Sequence, residues 1–262
     1  FADELRVQSG VPPKIVSLSL KARSAIMLAG HGGDVVLWSV NPQAWASSTA
    51  FASVVSPAVA EMVKDRLPEA ALGRVWERQL APDAYLFDDE AAGERPAAGW
   101  TRPFPHPLRG EKGEADTSFY AQWAASPYAD EALGAMAEAA VAKLGLGRGP
   151  GTDYLAVSFS TLDLVGHAFG PKSHEVQDVL LRLDATLGRL LSELDRLVGR
   201  QHYVLALTGD HGVAPIPEQV TALGVDAGRL DPADVRGRIE SALAPFLGPE
   251  PHVAWAPYTE VY

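Results

Sequence analysis

Alternating apolar and polar positions mark the first regular element of the chain. Residues 14–20 alternate in this way and predict a strand, because successive side chains of a strand point to opposite faces of a sheet. A helical pattern follows directly, from Lys21 to about residue 29. After a loop at residues 30–33, the apolar run 35–40 predicts a second strand.

Helix-start signals occur twice in the middle of the chain. Ser56-Pro57 and Ser126-Pro127 each combine an N-cap residue with proline at the first helical position. They predict one helix to about residue 65 and a second, alanine-rich helix over residues 129–144 that ends at Gly145.

Periodicity is lost between residues 81 and 123. Proline recurs there, at positions 82, 96, 103, 105 and 107, among scattered aromatic residues. A long irregular stretch inside a compact domain is usually a functional loop or a mobile one. We therefore interpret residues 81–123 as a loop or cap insertion, preceded by a short helix at residues 74–80.

The longest apolar stripe lies between residues 176 and 197. Leucine and valine recur there every three or four positions and predict a long amphipathic helix. Apolar runs at residues 153–159 and 203–207 flank it and predict buried strands, which makes a parallel, right-handed strand–helix–strand unit. Asp231-Pro232 begins a last predicted helix, to about residue 247.

Each of those two predicted strands is followed by an aspartate and a histidine. Asp163 and His167 are four positions apart, so one helical turn would bring them together. Asp210 and His211 are adjacent and lie between two glycines. A carboxylate oxygen beside an imidazole nitrogen suits zinc or a similar divalent cation. Either pair alone is also consistent with a turn and a surface histidine, but two pairs at equivalent strand ends favour a metal site.

Other candidate side chains have less support. Lys21 and Arg23 lie where the first predicted strand passes into a helix, and they are either anion ligands or a solvated helix start. The remaining histidines are interpreted as surface residues or as loop residues with satisfied hydrogen bonds: His31, His106, His174, His202 and His252.

Composition narrows the class of function. With 47% apolar and 21% charged residues, 262 residues can bury a substantial core, in one large α/β domain or two small ones. The net charge of −11 argues against a nucleic acid as the main partner. The chain has no cysteine, so a zinc site must use histidine and carboxylate. No apolar run reaches the ~18 residues that a membrane span needs.

Two segments resemble the metal-binding motifs of the alkaline phosphatase superfamily. They are T-L-D-L-V-G-H-A-F-G-P at residues 161–171 and T-G-D-H-G at residues 208–212, in the expected order with a long helix between them. The similarity is to the type I phosphodiesterase/nucleotide pyrophosphatase branch and to bacterial alkaline phosphatases of that type, and it extends to residues 17–25 and the loop around His31. It implies a three-layer α/β/α sandwich with a mostly parallel sheet, of which residues 1–262 form a part.

The resemblance also implies a chemistry. Asp163 and His167 would bind one zinc ion, the Asp210 pair would bind a second, and Lys21 and Arg23 would bind phosphate oxygens as in monoesterases. The implied reaction is hydrolysis of small-molecule phosphate monoesters through a Thr or Ser phospho-enzyme, with both zinc ions stabilising the reacting oxygens. The alternatives are a phosphodiesterase or nucleotide pyrophosphatase, and a catalytically silent domain. The implied location is periplasmic or extracellular.

The family's nucleophile and its further metal ligands are expected outside residues 1–262. Ser160, Thr161 and Thr208 lack the sequence context of that nucleophile. We therefore interpret the chain as an internal fragment, inactive alone and with weak or partial zinc occupancy, whose residues 260–262 resemble the opening of a strand. Three aromatic residues of the irregular region either line a leaving-group pocket or pack beneath the loop: Trp100, Phe104 and Trp123.

Overall fold

The computed structural model describes residues 1–40 and 44–255. The predicted strand at residues 260–262 lies outside the described residues. The chain forms two compact units, Phe1–Pro215 and Ile216–Tyr262. The strands, all in the larger unit, are β1 (Ile15–Ser19), β2 (Val35–Val40), β3 (Ala44–Ala46), β4 (Val75–Trp76), β5 (His106–Pro107) and β6 (Tyr154–Ser158).

Helices occur in both units. The larger unit contains α1 (Ala2–Gln8), α2 (Ala22–Ala29), α3 (Pro57–Lys64), α4 (Thr117–Ala124), α5 (Pro127–Leu144), α6 (Thr161–Phe169) and α7 (His174–Leu197). The smaller unit contains α8 (Pro217–Thr221) and α9 (Pro232–Leu247). None of the described helices combines the length and apolar character required to cross a membrane.

The main sheet has the strand order β3-β2-β1-β6 and is covered on both faces. Strands β2, β1 and β6 are parallel, and β3 is antiparallel to β2. On one face, Oγ of Ser17 in β1 donates a 2.8 Å hydrogen bond to the carbonyl oxygen of Ala25 in α2. On the other face, Val16 and Leu18 join the large core that includes α5 and α7. Alternate residues of one strand thus contact different helical layers, and the predicted α/β/α arrangement is confirmed.

Most predicted elements appear close to their expected positions. Ser56 caps α3, because its side chain accepts a hydrogen bond from the backbone N–H of Val59. Gly145 ends α5 in the left-handed conformation, with φ 60° and ψ 44°. Ser126 does not act as a side-chain cap for α5, since its Oγ instead donates to the carbonyl oxygen of Trp123.

The predicted helix at residues 74–80 is wrong. Residues 75–76 form β4, which pairs in antiparallel fashion with β5, and Trp76 lies opposite His106. The fully buried Trp76 packs edge-on against Phe104 at a centroid distance of 5.1 Å. Because the partner strand is thirty residues away in the sequence, the local apolar spacing did not reveal this pairing.

The predicted strand at residues 203–207 is also wrong. This segment has no regular secondary structure, and its apolar side chains face solvent, with Val204 97% exposed. An apolar run becomes a strand only where a neighbouring strand offers backbone N–H and C=O groups. In the part of the sheet that the structure describes, β6 is an edge strand with β1 as its neighbour.

Residues 81–123 are held to α7 by buried polar contacts. Asp178 of α7 is fully buried and accepts hydrogen bonds from Nε1 of Trp76 at 2.6 Å and from the hydroxyl of Tyr85 at 2.5 Å. Arg182 donates to the same carboxylate at 2.6 Å. The Tyr85 contact joins the irregular stretch to the long helix, and the role of residues 81–123 as a cap insertion stays a prediction.

His106 and Glu175 form a second buried contact between this stretch and α7. Nε2 of His106 lies 2.8 Å from Oε1 of Glu175, inside rings that include Trp100 at a centroid distance of 4.6 Å. Burial lowers the pKa of His106 to about 4 and raises the pKa of Glu175 to about 8. The geometry alone would allow an ion pair, but both pKa directions favour a neutral pair in which the carboxyl O–H donates to the imidazole. His106 is therefore a core residue and not a surface one, and its buried Nδ1 has no hydrogen-bond partner among the described residues.

Replacing Glu175 with Gln should stabilise the chain at pH 8. The folded pKa of Glu175 lies above its unfolded value, so its contribution to stability is present below about pH 4.5 and is lost as pH rises through about 8. Glutamine keeps a hydrogen-bonding group and cannot ionise. We expect Tm at pH 8 to rise by at least ~2–4 °C, the shift that ~1 kcal/mol produces in a domain of this size, with a smaller difference at pH 5.

Thermal unfolding of Glu175→Gln and Glu61→Gln at the two pH values checks this expectation. Glu61 is exposed on α3 and provides the matched control. Glu94, whose pKa burial raises to about 7, remains in both variants and should leave part of the pH dependence. A Tm for Glu175→Gln that is lower than the parent's at pH 8 would contradict the neutral-pair assignment.

Candidate active site

Helix α6 presents the first predicted pair of ligands. Two residues separate it from the end of β6, at the carboxyl edge of the sheet, and it places Asp163 and His167 one turn apart. Its first turn is held by Asp130 of α5, whose Oδ1 accepts hydrogen bonds from the backbone N–H groups of Ser160 at 3.2 Å and Thr161 at 3.4 Å. Burial raises the pKa of Asp130 to about 6, while those N–H groups oppose the shift. Sequence reasoning missed this residue, because an aspartate in an alanine-rich helix matches no motif.

The carboxylate of Asp163 lies close to three other predicted site residues. Nζ of Lys21, at the end of β1, donates to Oδ2 of Asp163 at 2.5 Å. Nε2 of His167 lies 3.2 Å from Oδ1 of the same carboxylate, and Nε2 of His211 lies 3.6 Å from it. Four residues predicted from three separate segments are therefore together at one edge of the sheet.

The two carboxylate oxygens of Asp163 have different surroundings. Oδ2 accepts from Lys21, whereas Oδ1 is buried and accepts no hydrogen bond. Burial raises the pKa of Asp163, but the hydrogen bond and charge of Lys21, followed by the charges of His167 and His211, outweigh it and hold the pKa below its usual value. Asp163 is thus an ionised carboxylate with one free oxygen that faces two imidazoles.

This donor set fits zinc in chemistry but is incomplete in number. One carboxylate oxygen and two imidazole nitrogens are typical zinc ligands. Within residues 1–40 and 44–255, however, no group of three or more such side chains is arranged to hold a metal ion. Asp210 contributes little, since its side chain is 88% exposed and, among the described residues, its polar contacts are with the neighbouring His211. The structure brings His211 to the first predicted half-site and leaves Asp210 outside it.

A close approach between α6 and the segment after Gly209 brings His211 to Asp163. A Cβ atom placed on Gly166 of α6 would lie 2.8 Å from Cγ2 of Val213, closer than side-chain carbons come in proteins. Glycine at this helical position therefore leaves room for the segment that carries His211. The backbone carbonyl of Gly212, 2.9 Å from Nδ1 of His211, raises the pKa of that imidazole, and Asp210 adds to the effect.

The two predicted phosphate-binding cations differ in their surroundings. Lys21 is the N-cap residue of α2 and is engaged with Asp163. Arg23, in the first turn of α2, is exposed and forms no ion pair or hydrogen bond with the residues that the structure describes. Arg23 is therefore available to an anionic ligand, whereas Lys21 would have to share its charge between that ligand and Asp163.

The chain is similar to several known proteins over most of its length. Residues 26–229 match the family model described as type I phosphodiesterase / nucleotide pyrophosphatase. Alkaline phosphatase PhoV of Synechococcus elongatus is 33% identical over 219 residues, which cover 82% of this chain. Alkaline phosphatase PafA of Elizabethkingia meningoseptica is 29% identical over 216 residues, or 81% of the chain.

The fold is similar as well. A crystal structure of wild-type alkaline phosphatase PafA superposes with a TM-score of 0.88 and 26% identity, and the match covers 100% of this chain and 50% of that one. The sequence matches cover 39% of PhoV and 39% of PafA. The chain thus spans about two fifths to one half of the length of these relatives.

Proposed function

Because the chain belongs to the type I phosphodiesterase/nucleotide pyrophosphatase family, we propose that the complete protein is a zinc-dependent phosphate monoesterase of the alkaline phosphatase type. The observation that carries this proposal is the free Oδ1 of ionised Asp163, which faces the imidazoles of His167 and His211. Its substrates are small-molecule phosphate esters, and its location is periplasmic or extracellular.

In this proposal, Asp163 and His167 hold one zinc ion, and Asp210 and His211 hold the second. Zinc supplies Lewis-acid stabilisation of the reacting phosphoryl oxygens. Lys21 keeps Asp163 ionised and oriented, and it donates to a phosphate oxygen once a substrate is bound. Arg23 adds charge-assisted donors to the same phosphate. Two cations suit a monoester, because it carries more negative charge on its non-bridging oxygens than a diester does.

The attacking hydroxyl is proposed to come from a segment outside this chain. Ser160 and Thr161 are buried, with their backbone N–H groups on Asp130, and they hold the start of α6. Thr208 is exposed, and its Oγ1 donates to the neighbouring carbonyl oxygen of Gly209. Among the described residues, none of these three hydroxyls donates to Asp163, His167 or His211, the carboxylate and imidazoles of the candidate site.

A phosphodiesterase or nucleotide pyrophosphatase is the second candidate. The observation that favours it is the family model itself, whose description names those activities. The exposed Arg23 favours the monoesterase, since a second cation two residues after Lys21 would match the third non-bridging oxygen of a monoester.

Zinc-dependent hydrolysis of an aryl phosphate tests the proposal directly. We expect the complete protein to turn over this ester, to lose activity on chelation and to regain it with zinc. The 262-residue chain alone, with added zinc, should show no turnover above a metal-free blank. Equal activity of the chelated and zinc-loaded complete protein would reject the proposed function, and turnover by the chain alone would reject the outside nucleophile.

A further inference from the structure

A cavity of about 240 Å³ lies beside Lys21 at the carboxyl ends of β1 and β2. Leu20 and Lys21 line it where β1 ends, and Val40 lines it at the last residue of β2. This is the position in an open parallel sheet where ligands bind. Val40 is 42% exposed.

Helix α4 forms the opposite wall. Tyr120, Ala121, Trp123 and Ala124 all face the cavity, and Trp123 is only 3% exposed. The hydroxyl of Tyr120 is occupied, since it donates to the carboxylate of Glu69. Among the lining residues that the structure describes, Lys21 alone is charged. The wall that α4 forms is therefore apolar, although α4 occupies the end of the stretch 81–123 that the sequence predicted to be irregular.

The cavity adjoins the candidate active site through two residues. Lys21 lines it and also donates to Asp163, and Leu164, the residue after Asp163, lines it from α6. A phosphate group held at Lys21 would therefore have an apolar recess on one side. An organic group bonded to that phosphate could enter the recess without leaving the site.

Size limits the group that can enter. A buried apolar cavity of roughly 150 Å³ binds benzene, and pockets for drug-sized ligands begin at roughly 300 Å³. At about 240 Å³, this cavity has room for one aromatic ring or a short branched alkyl chain.

We propose that this cavity binds the organic group of the substrate and selects monoesters with a single aromatic ring, with Tyr120, Trp123 and Leu164 as its contact surface. The inference rests on the proposed function, because it places the phosphate at Lys21. It also gives a role to Trp123 and not to Trp100 or Phe104, which pack around Trp76 and His106.

Two phosphonates of equal charge test the pocket independently of turnover. Phenylphosphonate and methylphosphonate differ only in the group that the cavity would receive. We expect the complete zinc-loaded protein to bind phenylphosphonate between about ten- and a hundredfold more tightly in calorimetry, the gain from burying one ring. Ala121→Leu fills the cavity from α4 with little change in helix propensity. It should reduce the ratio of phenylphosphonate affinity to methylphosphonate affinity by at least about tenfold. Affinity for methylphosphonate should stay within about twofold.

Two further variants serve as controls. Ala124→Leu fills the same cavity from the next turn of α4, and Ala185→Leu adds the same side chain to an exposed position of α7. Equal affinities for the two phosphonates in the parent protein would contradict the proposed pocket. So would a loss of affinity in Ala121→Leu and Ala124→Leu that is the same for both phosphonates. Selective phenylphosphonate binding in a protein that hydrolyses no ester would support the pocket and reject the proposed function.

Discussion

Replacing Asp163 with Asn in the complete protein should lower kcat/KM for a phosphate monoester by at least about a hundredfold. The change keeps the size of the side chain but removes the charge that Lys21, His167 and His211 face. A divalent ion supplies several kcal/mol of charge stabilisation to the reacting oxygens, and each ~1.4 kcal/mol is tenfold in rate. Zinc content, measured by elemental analysis, should fall in parallel.

The matched control is Asp184→Asn, the same substitution at an exposed position of α7. Its kcat/KM and zinc content should stay within about twofold of the parent values. Near-normal turnover by Asp163→Asn at limiting zinc would remove Asp163 from the metal site. In that case its contact with Lys21 would be an ion pair that serves the fold.

The double change Lys21→Ala with Arg23→Ala should shift preference from an aryl phosphate toward its methyl diester. Hydrogen bonds to charged groups contribute about 1.5–3 kcal/mol each, or roughly ten- to a hundredfold in rate when they act in the transition state. The diester has an organic group in place of one non-bridging oxygen, so it loses less when the cations are removed. The measurement is kcat/KM for both esters at one zinc concentration.

Single variants separate the two cations. Lys21 also holds Asp163, so Lys21→Ala should slow hydrolysis of both esters, whereas the exposed Arg23 should affect mainly the monoester. Lys143→Ala with Arg148→Ala is the control, because it removes the same two charges at exposed positions, one in the last turn of α5 and one after its end. An equal loss for both esters in Arg23→Ala would contradict the monoesterase proposal.

Hydrophobic periodicity predicted those helices and strands whose packing follows from general rules for burying an apolar face. The stripe of α7 identifies one buried face, and a helix with one buried face has few ways to pack. The alternation of β1 located the strand, although all five of its residues are buried because helices cover both faces of the sheet. The run at residues 203–207 failed because its pattern reports apolar character alone. Whether a neighbouring strand lies beside it is not encoded in those five residues.

The candidate site was predictable where a motif placed ligands at fixed spacing. Asp163 and His167 meet because α6 is a helix, which their four-residue spacing required. The ion pair from Lys21 to Asp163 and the cap from Asp130 were not visible, because each joins segments that are far apart in the sequence. Such contacts depend on how β1, α5 and α6 meet, and no local pattern contains that information.

The edge that β6 leaves unpaired among the described residues, and the exposed apolar run at residues 204–207, affect how this chain behaves in concentrated solution. An edge strand can template pairing with another molecule, and the sequence V-L-A-L at residues 204–207 has the high β-propensity and lack of charge typical of aggregation-prone segments. The net charge of −11 keeps molecules apart through mutual repulsion at neutral pH. Acidification removes that repulsion, so colloidal stability of the isolated chain should be lowest in mildly acidic buffers.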